Sequence, residues 1–424
     1  MIFALATLFL TAPTHFAIIG DFGNSSVPEA NVATMVSSWN PDFVVTAGDN
    51  NYDTGAAATI DANIGQYYHN FIYNYTGAFG AGSATRRFFP CLGNHDWGNN
   101  GTNPTGANPY LAYFDLPGNE RYYTFTQGEC QFFILDSDPN EPDGVTSSSI
   151  QGQWLQAQMA ASLARYKIVV FHHAAYSSAQ HGPTTYMQWP FALWGADTVI
   201  TGHDHSYERL SVDGIPYFVN GLGGRSLYNW GTIMGQSQFR FNADYGAQHA
   251  WADNYRLRLD FVRRTGVTVE SFSMPSRYPS EAIPVSGTIQ GEIETLFKPD
   301  NLWMTSSSKG GKAIFDIAII PRLQNPSTLR LEWQSRKDLE SDYDSYLAYV
   351  ETVQAFNVTS NQWVTVLATK LKTTPVSNSV QLPGNAQQYV DPISGQVRIR
   401  ASYIDRTYAK IIRASVNYMR LIAN

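Results

Sequence analysis

The sequence has few cysteines and few charged residues, and each shortage excludes a class of protein. Only two cysteines, Cys91 and Cys130, occur in 424 residues, which excludes a disulfide-rich scaffold. Charged residues make up 15% of the chain, and the formal net charge is -7 with a pI near 5.7. No basic stripe is present to neutralise the phosphates of a nucleic acid. No apolar run is long enough to cross a membrane.

Each of the two cysteines lies beside an aromatic-rich apolar run that is typical of a strand. Buried, unpaired thiols are the interpretation that we favour. A disulfide between Cys91 and Cys130 requires that their strands lie close together, and the sequence leaves this distance open.

The N-terminal residues and the glycosylation sequons favour an extracytoplasmic protein. The apolar stretch from Ile2 to Ala12 is either a signal-peptide core or an ordinary buried segment, so residues 1–14 are a candidate leader. N-glycosylation sequons begin at Asn24, Asn74, Asn100 and Asn357. We therefore expect a secreted glycoprotein.

The first part of the chain, from residue 15 to 283, has the pattern of an α/β domain. Short apolar runs alternate with longer connections, as expected for strands of a largely buried sheet with helical crossovers. The runs are FAIIGD, DFVVTAGD, RFFPCLGNHD, QFFILDSD, KIVVFHH, DTVITGHDH and PYFVNG. Two amphipathic helices are predicted between them, one with Val32, Met35, Val36 and Trp39, the other with Trp154, Leu155, Met159 and Leu163.

The last part of the chain has a different pattern. Residues 284–312 contain Gly and Ser-rich stretches and are predicted to form a linker. Residues 313–424 contain alternating runs such as LRLEW, WVTVLAT and QVRIRASYI, which predict an antiparallel β-sandwich. We find no catalytic constellation in this region, so its role is left open.

Metal-ligating residue types follow the apolar runs of the first domain. They are Asp21, Asp49 with Tyr52, Asn94 with His95, His172 with His173, and His203 with His205. One such motif alone is usually a turn or a helix cap. In open α/β sheets, however, the carboxyl ends of the strands share one edge, so five loops are expected to converge on one site.

The mixture of donors points to two metal ions. Carboxylate and phenolate oxygens favour hard cations, whereas imidazole suits Zn, Fe, Mn or Cu. The candidates exceed the four ligands of one tetrahedral site, and a carboxylate such as Asp49 can bridge two ions.

Five motifs of the first domain together resemble the metallophosphoesterase signature. They are GDFG at 20–23, GDNNYDTG at 48–55, GNHD at 93–96, VVFHH at 169–173 and GHDHSYER at 202–209. The tyrosine in GDNNY makes the chain similar to the purple acid phosphatases, which include the tartrate-resistant acid phosphatases. This family is part of the calcineurin-like metallophosphoesterases. The resemblance implies a four-layer α/β sandwich. It also implies that a ferric ion is held by Asp21, Tyr52 and His205. A second ion, Fe(II), Zn or Mn, would be held by Asn94, His172 and His203, with Asp49 bridging.

The resemblance further implies hydrolysis of phosphate monoesters, by in-line attack of a metal-bound hydroxide. His95 matches a histidine that lies near the phosphate and leaving group, and His181 is either a second substrate-side histidine or a polar loop residue. Two alternatives stay open: a phosphoesterase for diesters, nucleotides or pyrophosphate, and a non-catalytic binding protein. The expected partner is a small phosphorylated substrate, with carbohydrate or protein contact through the C-terminal domain as a further option.

Overall fold

The computed structural model describes residues 13–98, 106–276, 279–290, 304–308, 312–319, 326–337, 349–392, 396–405 and 412–423. The chain divides into two compact units. The first ends at Ser273, and the second begins at Met274 and also takes in Asn254–Arg256. The candidate leader, apart from its last two residues, and the sequon at Asn100 lie outside the described residues.

The first unit is built from two mixed sheets. Its strands are β1 (Thr14–Ile19), β2 (Phe43–Thr46), β3 (Phe88–Pro90), β4 (Tyr123–Gln127), β5 (Cys130–Ile134), β6 (Tyr166–His173), β7 (Thr198–Gly202), β8 (Tyr207–Val212), β9 (Ile215–Asn220), β10 (Ser237–Phe241), β11 (Gly246–Ala252), β12 (Arg256–Arg263) and β13 (Val267–Pro275). One sheet has the order β13-β12-β11-β1-β2-β3 and the other β10-β8-β9-β7-β6-β5-β4. Every strand predicted from an apolar run of this domain is confirmed.

Short helices connect the strands. They are α1 (Val27–Ser38), α2 (Ala57–Ile60), α3 (Gln66–Tyr68), α4 (Asn108–Tyr113), α5 (Ile150–Ala161) and α6 (Phe191–Trp194), with a π-helical turn at Asp61–Gly65 and 3₁₀ turns at His69–Phe71 and Thr185–Met187. Both predicted amphipathic helices are confirmed as α1 and α5. Leu163 was predicted to lie on the apolar face of the second helix. In the structure α5 ends at Ala161, and the Leu163 side chain is 43% exposed.

The sheets of the first unit pack face to face through aromatic side chains. The Phe16 ring of one sheet lies 5.2 Å from the Phe132 ring of the other, edge to face. The next residue, Phe133, points to the opposite side and packs in the cluster that contains Leu155 and Met159 of α5. On the other sheet, α1 packs against β11. Helix, sheet, sheet and helix therefore form the expected four layers, and the α/β prediction is confirmed.

The second unit is an antiparallel β-sandwich, as predicted. Its strands are β14 (Pro279–Ser286), β15 (Thr288–Gln290), β16 (Met304–Ser308), β17 (Lys312–Ile319), β18 (Leu329–Lys337), β19 (Tyr349–Asn357), β20 (Gln362–Lys370), β21 (Val376–Gln381), β22 (Val397–Asp405) and β23 (Ile412–Ala423), with a 3₁₀ turn at Ala386–Tyr389. They form two five-stranded sheets, β14-β17-β22-β19-β20 and β15-β16-β23-β18-β21. An apolar core that includes Phe315, Trp333 and Ile399 fills the sandwich.

The linker predicted for residues 284–312 is corrected. Its described part contains the end of β14, all of β15 and all of β16, and these strands pair with β17 and β23 of the second unit. The Ser and Gly content of this stretch suggested a loop, but strand pairing through backbone groups overrides this weak preference. The domain boundary accordingly lies before β14, earlier than predicted.

The two cysteines are unpaired and fully buried, as favoured from the sequence. Among the described residues, no helix has the length and apolar character needed to span a membrane.

Candidate metal centre

The predicted ligands lie where the central strands end. Asp21, Asp49 and His203 follow β1, β2 and β7, and all three have a left-handed backbone, with φ of 56°, 52° and 69°. Non-glycine residues seldom adopt this conformation, and such strain is concentrated at functional sites. Each of these three predicted ligands thus lies at a sharp turn of the backbone just after its strand.

A first group of donor atoms surrounds the Tyr52 hydroxyl. Tyr52 Oη lies 3.2 Å from Asp21 Oδ1 and 3.1 Å from His205 Nε2. The same His205 nitrogen lies 3.4 Å from Asp21 Oδ1. His205 is oriented by Ser226, whose Oγ lies 3.1 Å from His205 Nδ1.

A second group of donors surrounds His172. Its Nε2 lies 3.1 Å from Asn94 Oδ1 and 3.2 Å from His203 Nδ1. Its Nδ1 lies 2.8 Å from the carbonyl oxygen of Ala47, which can only accept, so Nδ1 carries the proton. When the His172 ring is neutral, its Nε2 lone pair therefore faces the amide oxygen of Asn94. A cation bound between these two atoms would interact favourably with both lone pairs.

Asp49 belongs to both groups. Its Oδ2 lies 2.9 Å from Tyr52 Oη and 3.3 Å from His172 Nε2. Its Oδ1 accepts a hydrogen bond from the backbone N–H of His95 at 2.9 Å, which fixes the carboxylate plane. One oxygen of Asp49 is thus placed to contact two ions.

The spacing of the donors fits metal coordination. Ligands about 2.0–2.2 Å from an ion and at right angles to one another are roughly 3 Å apart. The measured separations, from 2.9 to 3.4 Å, are of this size. The possible ligand atoms of Asp21, Asp49 and His172 lie within 4.8 Å of one another. Among the described residues, no other three His, Cys, Asp or Glu side chains come together in this way. The donor set therefore fits two adjacent ions.

The electrostatics of the site also favour cations. Burial lowers the pKa of His172, but the carboxylates of Asp49 and Asp21 outweigh it and raise the pKa to about 10. For Tyr52, burial and the same two carboxylates raise the pKa well above its usual value. The phenol therefore ionises only if a cation takes the place of its proton.

Asp96 holds two ligand-bearing loops together. Its carboxylate accepts hydrogen bonds from Asn50 Nδ2 at 2.8 Å and from the backbone N–H of Gly93 at 2.9 Å. Burial and the charge of Asp49 raise the Asp96 pKa to about 7. The contacts link the loop after β2 to the loop that carries Asn94.

Two glycines allow the close approach of these loops. A Cβ on Gly48, whose φ is 88°, would lie 2.6 Å from His172 Nδ1. A Cβ on Gly93 would lie 2.3 Å from Asp49 Oδ1. No side chain fits at either position without displacing a predicted ligand.

A cavity of about 670 Å³ opens beside the predicted ligands. His95 and His181 both line it, so the loop that carries His181 reaches the site. The His181 ring stacks 4.2 Å from the His203 ring, and its backbone N–H donates to Asp204 Oδ1 at 2.8 Å. His95 Nδ1 lies 2.5 Å from the carbonyl oxygen of Asp53, which leaves Nε2, 3.8 Å from Asp49 Oδ2, directed toward the site.

Several further cavity residues were missed by the sequence analysis. Tyr228 stacks on His205 with ring centroids 4.0 Å apart, and Asp138, Asn140 and Tyr186 line the same cavity. They lie on loops without a recognisable motif, and only the SD pair after the QFFILD run hinted at Asp138. The structure thus brings all predicted ligands together and adds a polar wall.

Comparison with known proteins identifies relatives of the first unit. Residues 14–207 match the family model described as calcineurin-like phosphoesterase. Purple acid phosphatase 17 of Arabidopsis thaliana is 28% identical over 240 residues, which cover 50% of this chain and 68% of that protein. Tartrate-resistant acid phosphatase type 5 of Mus musculus is 25% identical over 318 residues, covering 63% of this chain and 93% of that protein.

A solved purple acid phosphatase from yellow lupin (Lupinus luteus) seeds has a similar fold. Its TM-score is 0.51 at 20% sequence identity, over 62% of this chain and 54% of that one. The likeness supports the fold assignment and does not extend to activity.

Proposed function

We propose that this protein is a metal-dependent acid phosphatase, because residues 14–207 match the calcineurin-like phosphoesterase family model and the chain is similar to purple acid phosphatases. The reaction is hydrolysis of phosphate monoesters at a dinuclear centre. The observation that carries the proposal is the position of Asp49 Oδ2, 2.9 Å from Tyr52 Oη in one donor group and 3.3 Å from His172 Nε2 in the other.

Asp21, Tyr52 and His205 would hold a ferric ion, and Asn94, His172 and His203 would hold Fe(II), Zn or Mn. Asp49 would serve both sites. Ions held there would supply positive charge for the phosphoryl oxygens and a water molecule of lowered pKa. The described lining of the cavity contains no Lys or Arg, so its residues supply no other full positive charge except through histidine protonation.

The two cavity histidines act on the substrate. His95 presents Nε2 to the cavity while Asp53 fixes its other nitrogen, so a proton on Nε2 is directed toward the leaving oxygen. His181 is held by Asp204 and by stacking on His203, and it hydrogen-bonds a phosphoryl oxygen. Asp138 lies along the same cavity, and its carboxylate disfavours a strongly anionic leaving group.

The first test measures metal content together with hydrolysis of an aryl phosphate monoester and the matching diester at acidic pH. We expect two ions per chain and a higher kcat/KM for the monoester. Preference for the diester would favour the alternative phosphoesterase. A protein that neither retains metals after reconstitution nor hydrolyses either ester would instead be a binding protein on a phosphatase scaffold.

The identity of the first ion is tested with Tyr52→Phe. A phenolate bound to ferric iron absorbs visible light, so we expect the wild-type protein to be purple and the variant to lose the band. Tyr75→Phe is the matched control, since Tyr75 hydrogen-bonds Asp61 rather than a predicted ligand. A band that survives in Tyr52→Phe would exclude ligation by this residue.

Extracytoplasmic location remains part of the proposal, and the described sequons sharpen it. Asn74 is exposed, whereas Asn357 is 8% exposed and donates a hydrogen bond to Gln388 at 3.0 Å. The side-chain oxygen of Asn24 is buried. Among the described sequons, Asn74 is therefore the expected glycan site, and peptide mass spectrometry of the secreted protein from eukaryotic cells tests this.

The role of the second unit is also still a prediction. Trp363 is a candidate for stacking on a carbohydrate, but Arg400 and Arg398 lie 4.2 Å and 5.5 Å from its ring centroid. Both guanidinium groups compete for the aromatic ring. The geometry therefore gives no support to sugar binding at Trp363.

A further inference from the structure

A second pair of converging imidazoles lies outside the candidate metal centre. The protein has nine histidines, six of which lie in or beside that centre. His15 and His249 contact one another instead, with their Nε2 atoms 2.5 Å apart. Only His69 lies elsewhere. We call these two residues the His15–His249 pair.

Strand register creates the pair. In the antiparallel β1 and β11, His15 is opposite Trp251 and Ala17 is opposite His249. His15 and His249 are therefore diagonal neighbours on one face of the sheet, within reach of long side chains. Asp21 follows His15 by six residues, so the pair is roughly 20 Å along the strand from the predicted ligand, at 3.3 Å per residue.

Aromatic rings hold both imidazoles in place. The Trp39 ring stacks on His249, with centroids 4.0 Å apart and planes 6° apart. The Trp251 ring is parallel to His15 at 5.4 Å. Both histidines are partly exposed to solvent. The ligand rotamers are thus preorganised, which is the arrangement that favours metal binding.

The nitrogens are closer than an ordinary hydrogen bond, which is about 2.7–3.2 Å for N–H donors. Two Nε2–H groups cannot face one another at this distance, so at least one lone pair points into the contact. A tetrahedral ion bound at about 2.0–2.1 Å by both nitrogens would separate them by roughly 3.3 Å. Binding such an ion therefore requires the two nitrogens to move apart by somewhat less than about 1 Å.

We propose that the His15–His249 pair binds a third divalent transition-metal ion, Zn²⁺ or Cu²⁺, which joins β1 to β11. Imidazole nitrogens suit both ions, and Cu²⁺ binds more tightly in the general order of divalent metals. The carboxylate of Asp42 accepts a hydrogen bond from the backbone N–H of His15 and favours a cation nearby, whereas the charge of Asp260 beside His249 is balanced by its ion pair with Arg258. Water completes the coordination, since no described third His, Cys, Asp or Glu groups with the pair.

The test adds Cu²⁺ to the holoenzyme after gel filtration, so that ions at the dinuclear centre are already counted. We expect one further Cu²⁺ per chain. Its electron paramagnetic resonance spectrum should show hyperfine splitting from two nitrogen ligands. His249→Gln and His249→Phe should each weaken this binding at least about tenfold, since loss of a supporting contact alone costs about 10–100-fold. The Phe variant keeps the stacked ring and so controls for folding.

His69→Gln is the matched control and should bind the further ion as the wild type does. Phosphatase activity should be unchanged in all three variants, so failure here is distinguishable from failure of the proposed function. The proposal is overturned if no further ion binds, or if both His249 variants bind it as tightly as the wild type. Either result would identify the contact as an imidazole hydrogen bond.

Discussion

The two units of the chain bury ionisable side chains in different ways. In the first unit, Asp21, Asp49 and His172 are all at most 2% exposed and point toward a common region. In the second unit, Glu351 lies within an apolar core with no exposed surface. In the first unit, possible metal-ligand atoms from different loops face one another. In the second unit, hydrogen bonds from neighbouring side chains satisfy the buried carboxyl group.

The partners of Glu351 make the contrast concrete. Its Oε1 accepts hydrogen bonds from Trp333 Nε1 at 3.3 Å and Tyr403 Oη at 3.2 Å, and its Oε2 accepts one from Ser335 Oγ at 3.0 Å. Two of these donors come from β18 of one sheet, and the third comes from β22 of the other sheet. A carboxyl group whose hydrogen bonds come from neighbouring strands stabilises the sandwich, whereas oxygen and nitrogen atoms that converge from several loops can form a binding site.

The largest expected effect is on activity, from Asp49→Asn in the first unit. The substitution keeps the acceptor for the His95 backbone N–H but removes the charge shared by the two donor groups. We expect kcat/KM to fall by about 10³-fold or more, since supporting residues alone account for about 10–100-fold in metal affinity. Steady-state kinetics with metal analysis measures this, and Asp42→Asn is an exposed control. An Asp49→Asn enzyme with full metal content and activity would remove the bridging role.

The next effect is on stability, from Glu351→Ala in the second unit. The change leaves three donors without an acceptor in an apolar core, which should lower the free energy of unfolding by about 3 kcal/mol. Urea unfolding followed by circular dichroism measures the loss. Glu351→Gln keeps an acceptor and should cost less than about 1 kcal/mol. Equal costs for the two variants would contradict the hydrogen-bonding role, and metal binding should be unchanged in both.

Gly93→Ala should combine both kinds of effect within the first unit. Its Cβ would lie 2.3 Å from Asp49 Oδ1 and 2.4 Å from the Asp49 backbone nitrogen, so we expect a loss of about 1–3 kcal/mol and weaker metal retention. Gly235→Ala is the matched control, because a Cβ there meets nothing within 4 Å. Its effect should be within about 0.5 kcal/mol. Similar melting temperatures for the two variants would show that the loops near Asp49 adjust freely.

The smallest expected effect is a pH dependence from Glu351. Burial raises its pKa in the folded protein above the usual 4.5, so the folded state holds a proton that the unfolded state releases. Stability from this group is therefore complete below pH 4.5 and declines as pH rises from there to the folded pKa, by up to about 1.4 kcal/mol per unit. Glu351→Gln lacks this decline. If the free energies of unfolding of the wild type and Glu351→Gln changed in parallel above pH 4.5, the raised pKa of Glu351 would be refuted.

Much of the fold was predictable because its signals are local. Apolar runs predicted the central strands, and spacing by three and four residues predicted α1 and α5. The linker assignment failed for the opposite reason, since β15 and β16 are held in strands by pairing with each other and with β23. The end of α5 was also missed, because a periodic Leu163 does not reveal where the helix stops.

The sequence by itself determined which residue types follow each strand and that seven donors are available for two ions. Only the tertiary structure decided how they group, because Tyr52 and His205 are 153 residues apart and Asn94 and His172 are 78 apart. The contribution of Tyr228 to the cavity wall and the contact between His15 and His249 were likewise invisible in the sequence. Periodicity fixes the direction of a side chain within its own strand, but strand order and register determine which distant side chain it meets.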